Sequence, residues 1–173
     1  MKLILSDRPL SLSLPENGDI RLIDLSALKI ANCVGCFGCW TKTPGKCVIR
    51  DDAVRVYPVI AAADRLIYVS RLKYGGYDTV MKTMMERAIP VQQAFIRIHH
   101  GETHHVQRHV EAKKALIIAY GDIDEEEKEI FRKLVARNAH NMSFESYEIR
   151  FVPESRVEET VKKEVVQWEK SCC

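Results

Sequence analysis

The chain has 173 residues, a length typical of one domain that buries roughly two-thirds of its unfolded surface. Its apolar fraction of 46%, charged fraction of 29% and net charge of +2 give no electrostatic argument for a nucleic acid or an anionic membrane as partner. No apolar run approaches the roughly 18 residues that span a bilayer, and the start lacks a secretory apolar region. We therefore expect a single domain over residues 1–173, located in the cytoplasm.

Five short runs of the sequence have the character of β-strands. Four of them are mainly apolar, as expected of strands whose two faces are both covered by helices, and the fifth alternates between apolar and polar residues. A Ser-Asp-Arg-Pro turn ends the first run. The predicted strands are residues 2–5, 20–25, 65–70, 114–120 and 144–152.

Four helices are predicted between and after these strands. Pro58 lies inside the first helix and is expected to bend it or to mark a late start. In the second helix, apolar side chains at Val80, Met84, Met85 and Ala88 recur at helical spacing. The predicted helices are residues 51–63, a segment after "RLKYGGY", residues 122–142 and residues 153–170.

The alternation of strands and helices determines the predicted fold class. Consecutive parallel strands in one sheet need crossover connections, and helices supply them on both faces. We therefore predict an α/β protein, a three-layer sandwich with a mainly parallel five-stranded sheet.

Four cysteines fall within the stretch "CVGCFGCWTKTPGKC", with the spacing C-x2-C-x2-C-x7-C. Two-residue gaps allow one loop to supply three thiolates to a [4Fe–4S] cluster, and the "TPGK" turn returns the chain for a fourth. The glycines between the cysteines relieve crowding in such a loop. The candidate metal ligands are Cys33, Cys36, Cys39 and Cys47.

Other states of these cysteines remain open on the sequence. Zinc bound by four thiolates is disfavoured because structural zinc usually takes two separated pairs. Free buried thiols, or a disulfide formed on oxidation, are further alternatives. Cys172 and Cys173 at the C-terminus are predicted to form a frayed, oxidation-prone tail.

Histidines are concentrated in "HHGETHH", residues 99–105, and suggest a second metal site. Adjacent histidines point in different directions on a helix, and Gly101 interrupts the spacing. The sequence therefore does not favour a metal there.

Three stretches together resemble the flavodoxin-like superfamily, in its branch of NADPH-dependent FMN reductases and iron-sulfur flavoproteins. "CVGCFGCWTKTPGKCVIRDD" resembles the compact cysteine motif of that branch after strand two. "VSRLKYGGY" resembles the flavin-contacting loop after strand three, and "GETHHVQRH" resembles a further segment of the branch. The latter resemblance implies that His104 or His105 contacts a cofactor or a neighbouring chain. The resemblance covers residues 20 to about 122.

The resemblance implies a redox protein: an FMN-dependent NAD(P)H oxidoreductase, or an electron-transfer protein of the iron-sulfur flavoprotein type. It implies FMN and a [4Fe–4S] cluster as cofactors, NAD(P)H and a redox protein as partners, and a homo-oligomer. The implied flavin contacts, the last of which follows strand four at the carboxyl edge of the sheet, are Ser70, Arg71, Leu72, Tyr74, Gly75 and Gly121.

One segment departs from the family pattern. Strand one of such proteins leads into a loop and a helix whose N–H groups face the FMN phosphate. Here "SDRPLSLSLPENGD", with two prolines, leaves little room for a helix, and Asp7 places a negative charge near the phosphate position. We predict that the first helix is reduced or absent and the phosphate loop deleted. The alternative function is a flavin-less descendant serving as a structural or interaction subunit, or as a cluster-bearing electron carrier.

The loop after strand three departs from the pattern too. Arg71 replaces a proline and Lys73 replaces a tyrosine of the family motif. These two bases either attract an anion or are simply solvated. The two glycines after Tyr74 allow close approach of a planar ligand, and they equally suit a tight turn that needs positive φ.

Overall fold

The computed structural model describes residues 1–16 and 18–170. The predicted tail cysteines, Cys172 and Cys173, lie outside the described residues. The strands are β1 (Lys2–Ser6), β2 (Ile20–Asp24), β3 (Arg65–Lys73), β4 (Gly76–Tyr77), β5 (Gln92–His99), β6 (Glu102–Gln107), β7 (Lys113–Tyr120) and β8 (Phe144–Val152). The helices are α1 (Gly38–Thr41), α2 (Ala53–Ala62), α3 (Thr79–Glu86), α4 (Glu125–Asn141) and α5 (Val157–Lys170).

Five parallel strands form the central sheet in the order β2-β1-β3-β7-β8. Counted along these five strands alone, this is the 2-1-3-4-5 order of flavodoxin-like doubly wound folds. The short strand β4 adds an antiparallel pairing at the end of β3. The predicted α/β sandwich with a mainly parallel five-stranded sheet is confirmed.

Alternate residues of the strands supply two separate cores. Leu3 and Leu5 of β1 face the larger core, which includes α2, α3 and α4, whereas Ile4 between them faces the core beneath α5. Successive side chains of a strand point to opposite faces, so each buried strand serves both layers. This places helices on both sides of the sheet and leaves its carboxyl edge for functional residues.

The connection between β1 and β2 contains no helix in its described residues, 7–16 and 18–19. Leu10, Leu12 and Leu14 of this extended segment pack on the core beneath α5. Alternating leucines thus cover part of that face of the sheet without a helix. The prediction that the first helix is reduced or absent agrees with this segment.

Three local predictions differ from the structure. β3 continues three residues beyond Ser70, because its end pairs with β4 rather than leading directly into a helix. In α3 the buried side chains include Met81 and Met84, whereas Val80 is 38% exposed and Ala88 follows the helix end. The hairpin of β5 and β6 was not predicted at all.

Within residues 1–16 and 18–170, none of the helices has both the length and the apolar character that a bilayer crossing requires.

Candidate functional site

The cysteine motif lies in the loop that joins β2 to α2. Positive φ angles at Gly35 (63°) and Phe37 (55°), one on each side of the second cysteine, turn the backbone sharply there. Gly38 follows, and a Cβ atom there would lie 2.7 Å from Cγ1 of Val48 and 3.5 Å from Sγ of Cys36. Glycine at this position therefore allows the two arms of the loop to approach each other.

The structure brings the four predicted ligands together. Cys33, Cys36, Cys39 and Cys47 all line one cavity of about 430 Å³. Cys33 and Cys36 are exposed, Cys47 is half-buried and Cys39 is buried, and none of the four forms a disulfide. Burial raises the pKa of the Cys39 thiol, and the charges of the other three thiolates raise it further. Four converging thiolates repel one another, and a positive metal centre would relieve that repulsion.

The spacing of the sulfurs bears on the kind of metal centre. A single zinc ion holds thiolates at about 2.3 Å, which places tetrahedral sulfurs about 3.8 Å apart. Among the side chains that the structure describes, the only group of three or more potential ligands whose donor atoms all lie within 4.8 Å of one another consists of histidines. No three of the four cysteine sulfurs therefore all lie within 4.8 Å of one another, so the loop is not arranged around a single zinc ion.

Arg87, just after α3, anchors this loop from beneath. Its guanidinium donates to both carboxylate oxygens of Asp51, at 2.7 and 2.9 Å, and to the carbonyl oxygens of Ala31 (2.7 Å) and Ile49 (3.3 Å). Nη2 also lies 3.4 Å from Sγ of Cys47. The arginine is 1% exposed, so it provides a buried positive charge beside the thiolates.

Sequence reasoning did not identify Arg87. The usable signal was a charged residue on the apolar face of a helix, three positions after Met84 and four after Thr83, both of which are buried. A charged side chain at such a position requires a buried partner, and the partner here is 36 residues away.

Trp40 links the cysteine loop to the hairpin of β5 and β6. Its Nε1 donates to the carbonyl oxygen of Gln92 at 3.0 Å, and its ring lies 4.7 Å from the ring of His105. His105 therefore contacts Trp40 within the same chain, and its contact to a cofactor or to a neighbouring chain stays a prediction.

At the carboxyl edge of the sheet, Asp7 follows β1, and its carboxylate accepts three hydrogen bonds from residues of β3 and β7. Its carboxylate accepts from the backbone N–H of Arg71 (2.6 Å), the hydroxyl of Tyr120 (2.8 Å) and the hydroxyl of Ser70 (3.2 Å). Burial raises the pKa of Asp7, although these hydrogen bonds lower it in part. A carboxylate of the protein thus stands where an FMN phosphate would bind after β1, and these residues do not fit a phosphate dianion.

Two arginines at this edge are already paired. Arg8 and Arg71 each bind Glu154, at 2.8 and 2.7 Å, and their guanidinium groups lie 5.6 and 5.1 Å from the centre of the Tyr120 ring. Arg71 is therefore one side of an ion-paired network rather than a free anion site.

The predicted flavin contacts divide into two groups. Ser70 and Leu72 are buried in β3, whereas Tyr74 is 85% exposed. Tyr74 and Gly75 both have positive φ, 53° and 69°, and form a two-residue hairpin turn between β3 and β4. Gly121 follows β7 with a φ of 133°, and a Cβ atom there would lie 3.5 Å from the carbonyl oxygen of Leu72.

A second cavity, of about 460 Å³, lies beside the Tyr74–Gly75 turn, between α3 and α4. Gly75 and Gly76 line one end of it. Glu86 and Ile89 line both this cavity and the cysteine cavity, so the two adjoin. The apolar part of its lining consists of Tyr77, Met85, Ala88, Ile89, Ile130, Leu134 and Met142.

Comparison with known proteins finds partial sequence matches to two iron-sulfur flavoproteins. No protein-family model matches the chain. An iron-sulfur flavoprotein of Methanocaldococcus jannaschii is 31% identical over 80 residues, which are 46% of this chain and 40% of that protein. An iron-sulfur flavoprotein of Archaeoglobus fulgidus is 32% identical over 72 residues, 42% of this chain and 32% of that protein. The matched stretches thus span less than half the length of these curated relatives.

Solved structures match over nearly the whole chain. An FMN-dependent NADH-azoreductase from Bacillus anthracis, in complex with FMN, has a TM-score of 0.62 at 14% identity and covers 99% of this chain and 98% of its own. An NAD(P)H:quinone oxidoreductase from Methanothermobacter marburgensis has a TM-score of 0.58 at 14% identity, covering 94% and 93%. These neighbours confirm the flavodoxin-like fold, and the curated relatives confirm the predicted resemblance to iron-sulfur flavoproteins.

Proposed function

We propose that this chain is a flavodoxin-like redox protein of the iron-sulfur flavoprotein type, in which Cys33, Cys36, Cys39 and Cys47 hold a [4Fe–4S] cluster. The observation that carries this proposal is that all four cysteines line one cavity, with the buried Arg87 beside them. The curated relatives, both named iron-sulfur flavoproteins, support it.

The residues around the cysteines have distinct roles in this proposal. When bound, a [4Fe–4S] cluster supplies one-electron transfer. Nη2 of Arg87 lies 3.4 Å from Sγ of Cys47, so its positive charge offsets part of the thiolate charge. Such a charge would favour the reduced state of a bound cluster, which is the more negative state. Cys39 lies on the buried side, whereas Cys33 and Cys36 face the surface, where a redox partner protein is able to approach.

FMN is the proposed two-electron cofactor, with NAD(P)H as its donor. The names of the curated relatives and of the azoreductase neighbour support a flavin. The cavity beside Gly75 and Gly76 has the apolar lining that suits a planar ring, and it adjoins the cysteine cavity. Because the Asp7 carboxylate accepts from the donors at the end of β1, it opposes binding of the FMN phosphate at that strand end.

A second candidate function is a descendant without flavin, acting as a cluster-bearing carrier or as a structural subunit. The observation that favours it is the same hydrogen-bonded Asp7, together with a β1–β2 connection whose described residues contain no helix. Both features remove the groups that hold a nucleotide phosphate in folds of this kind.

Anaerobic purification with iron, sulfide and flavin analysis separates these candidates. We expect about four irons per chain with a broad absorption near roughly 400 nm, and flavin bands near roughly 370 and 450 nm when FMN is added. Cys39→Ser should lose the iron and its absorption, whereas Cys172→Ser, outside the motif, should retain both. Iron without flavin uptake supports the second candidate as a carrier. A colourless protein that takes up neither iron nor flavin would contradict the redox proposal.

The chain is also proposed to form a homo-oligomer that covers exposed apolar side chains near this site. Val34 and Phe37, between the cysteines, are 70% and 61% exposed, and Phe95, Ile96 and Ile98 of β5 are 72%, 65% and 74% exposed. Apolar side chains concentrated in this way usually mark an interface. Light scattering should give a mass above that of one chain, and Ile98→Glu should shift it toward the monomer. A wild-type monomer would contradict the proposal.

A further inference from the structure

Three histidines from two distant parts of the chain meet at one place in the fold. His99 ends β5, His100 begins the turn to β6, and His140 lies in the last turn of α4. Each offers a ring nitrogen, and these nitrogens all lie within 4.8 Å of one another. The ring centres are 4.2 Å apart for His99 and His100, 5.6 Å for His100 and His140, and 6.1 Å for His99 and His140.

The backbone of the hairpin accounts for the pairing of adjacent histidines. His100 has a φ of 52° and Gly101 a φ of 78°, as in a two-residue turn in which both residues are left-handed. In an extended strand, successive side chains point to opposite faces. The left-handed turn instead brings the His99 and His100 rings close together, at the cost of an unusual conformation for a non-glycine residue.

A fourth histidine supports this cluster without being free to bind an ion. The ring of His104 stacks on that of His140, with centres 5.5 Å apart and planes at 30°. Both of its ring nitrogens are engaged, at 3.1 Å each, by Asn141 Oδ1 and Glu102 Oε2. His104 therefore packs against His140 in an orientation that its own two contacts hold.

The surroundings of the cluster suit a cation. His140 lies at the C-terminal end of α4, where the helix dipole favours positive charge. A cavity of about 390 Å³ opens beside the three rings, and Glu145 and Ser143 also line it.

We propose that His99, His100 and His140 form a binding site for a divalent transition-metal ion, with zinc as the representative, whose fourth position opens to this cavity. Imidazole nitrogens bind zinc at about 2.0–2.1 Å, so tetrahedral nitrogens lie about 3.4 Å apart. The ring nitrogens now lie within 4.8 Å of one another, so side-chain rotation has to shorten each nitrogen–nitrogen distance by at most about 1.4 Å. Three imidazoles with one open position form a ligand set that zinc, copper and nickel all accept. The site does not depend on the cysteine cluster.

Zinc titration by calorimetry, under anaerobic reducing conditions, tests this site. The full chain should bind one more equivalent of zinc than His140→Ala. In His100→Gln the affinity for that additional zinc ion should fall by roughly tenfold or more. His109→Asn is the matched control, since it also removes an imidazole but lies outside the cluster, at an exposed position with positive φ that asparagine accepts. Equal zinc binding by wild type and both cluster variants would overturn the proposal.

Cobalt absorption of the wild-type chain gives a second measurement that needs no variant to fold. Cobalt bound by imidazoles shows visible d–d bands without the sulfur-to-metal charge transfer that cysteine ligands produce. We expect one equivalent of cobalt with d–d bands alone, in addition to any cobalt bound by thiolates. Charge-transfer bands that accompany every bound equivalent would place all the cobalt at cysteines and overturn the proposal.

Discussion

Arg87 and Asp51 form a two-fold hydrogen-bonded ion pair beneath the cysteine loop, with Nη1 to Oδ2 and Nη2 to Oδ1 distances of 2.7 and 2.9 Å. Burial alone would raise the pKa of Asp51, but hydrogen bonds from Arg87 and from the N–H groups of Ala31 and Ala53 outweigh it and lower that pKa. The carboxylate thus joins both ends of the loop to one arginine. The shape of the cysteine cavity depends on this pair.

Removing this arginine should destabilise the protein strongly. Arg87→Met leaves the Asp51 carboxylate without its buried partner, which costs roughly 3–5 kcal/mol in comparable pairs. Urea unfolding of the metal-free chain measures this loss, and iron uptake should fall in parallel.

The matched control for that experiment is Arg55→Met. Arg55 pairs with Asp52, the residue before α2, and its side chain is 68% exposed, so its removal should change the free energy of unfolding little. Similar small losses for the two variants would show that the buried pair does not hold the loop.

Lys113 should make stability depend on alkaline pH. It begins β7 with 0% exposure, its Nζ donates to the carbonyl oxygen of Glu111, and burial lowers its pKa to about 8 from 10.5. Below about pH 8 both folded and unfolded chains carry the proton, so the full cost of burying the charge is present. As pH rises from about 8 to 10.5 the folded chain releases its proton first, and the free energy of unfolding should rise by about 3 kcal/mol.

The difference between wild type and Lys113→Met isolates this effect from other groups that titrate in the same range. The variant has no proton to release at this position, so only the wild type gains stability from it as the pH rises. The free energy of unfolding of the variant minus that of the wild type should therefore fall by about 3 kcal/mol between pH 7 and pH 10.5. Denaturant unfolding at several pH values measures this. A difference that stays constant with pH would contradict the lowered pKa.

Replacing Asp7 should raise the affinity of the chain for FMN relative to riboflavin, which lacks the phosphate. Asp7→Ser removes the negative charge and frees the N–H of Arg71 and the hydroxyl of Tyr120. We expect the affinity for FMN relative to riboflavin, measured by quenching of flavin fluorescence, to rise about tenfold. Asp122→Ser removes an equal charge from an exposed position beside Gly121 and should leave the ratio unchanged. An unchanged ratio in Asp7→Ser would show that Asp7 does not stand in the phosphate position.

The two adjacent glycines of the β3–β4 turn should differ sharply in their tolerance of alanine. Gly75 has a φ of 69°, and a Cβ atom there would lie 2.6 Å from Cγ2 of Ile130. Gly75→Ala should therefore lower the free energy of unfolding by about 1–3 kcal/mol. At Gly76 a Cβ atom would meet nothing closer than the carbonyl oxygen of Lys73, at 3.8 Å. Gly76→Ala should be close to neutral in thermal unfolding, and equal losses would contradict the assigned turn.

The sequence was sufficient for those features that neighbouring residues encode. Four apolar runs and one alternating run located all five strands of the parallel sheet, and the alternating run at residues 144–152 coincides with β8. The cysteine spacing likewise identified four side chains that share one cavity. Periodicity and spacing are local quantities, because a strand or a loop presents its residues in a repeat that the sequence itself displays.

The hairpin of β5 and β6 escaped prediction for a related reason. Most of β5 is exposed on both faces, so no burial pattern with a period of two marks it in the sequence. At helical spacing the histidines at its tip are poor ligands for one metal ion. In the hairpin, His99 and His100 lie side by side.

Only the tertiary structure decided which distant residues complete each site. Arg87 reaches the cysteine loop from the end of α3, His140 reaches the hairpin tip from the end of α4, and Asp7 reaches Tyr120 across the sheet. Along the chain, Arg87 is 40 residues from Cys47, His140 is 41 residues from His99, and Tyr120 is 113 residues from Asp7. No local period relates them, because their proximity follows from the strand order and from the direction in which each helix packs on the sheet.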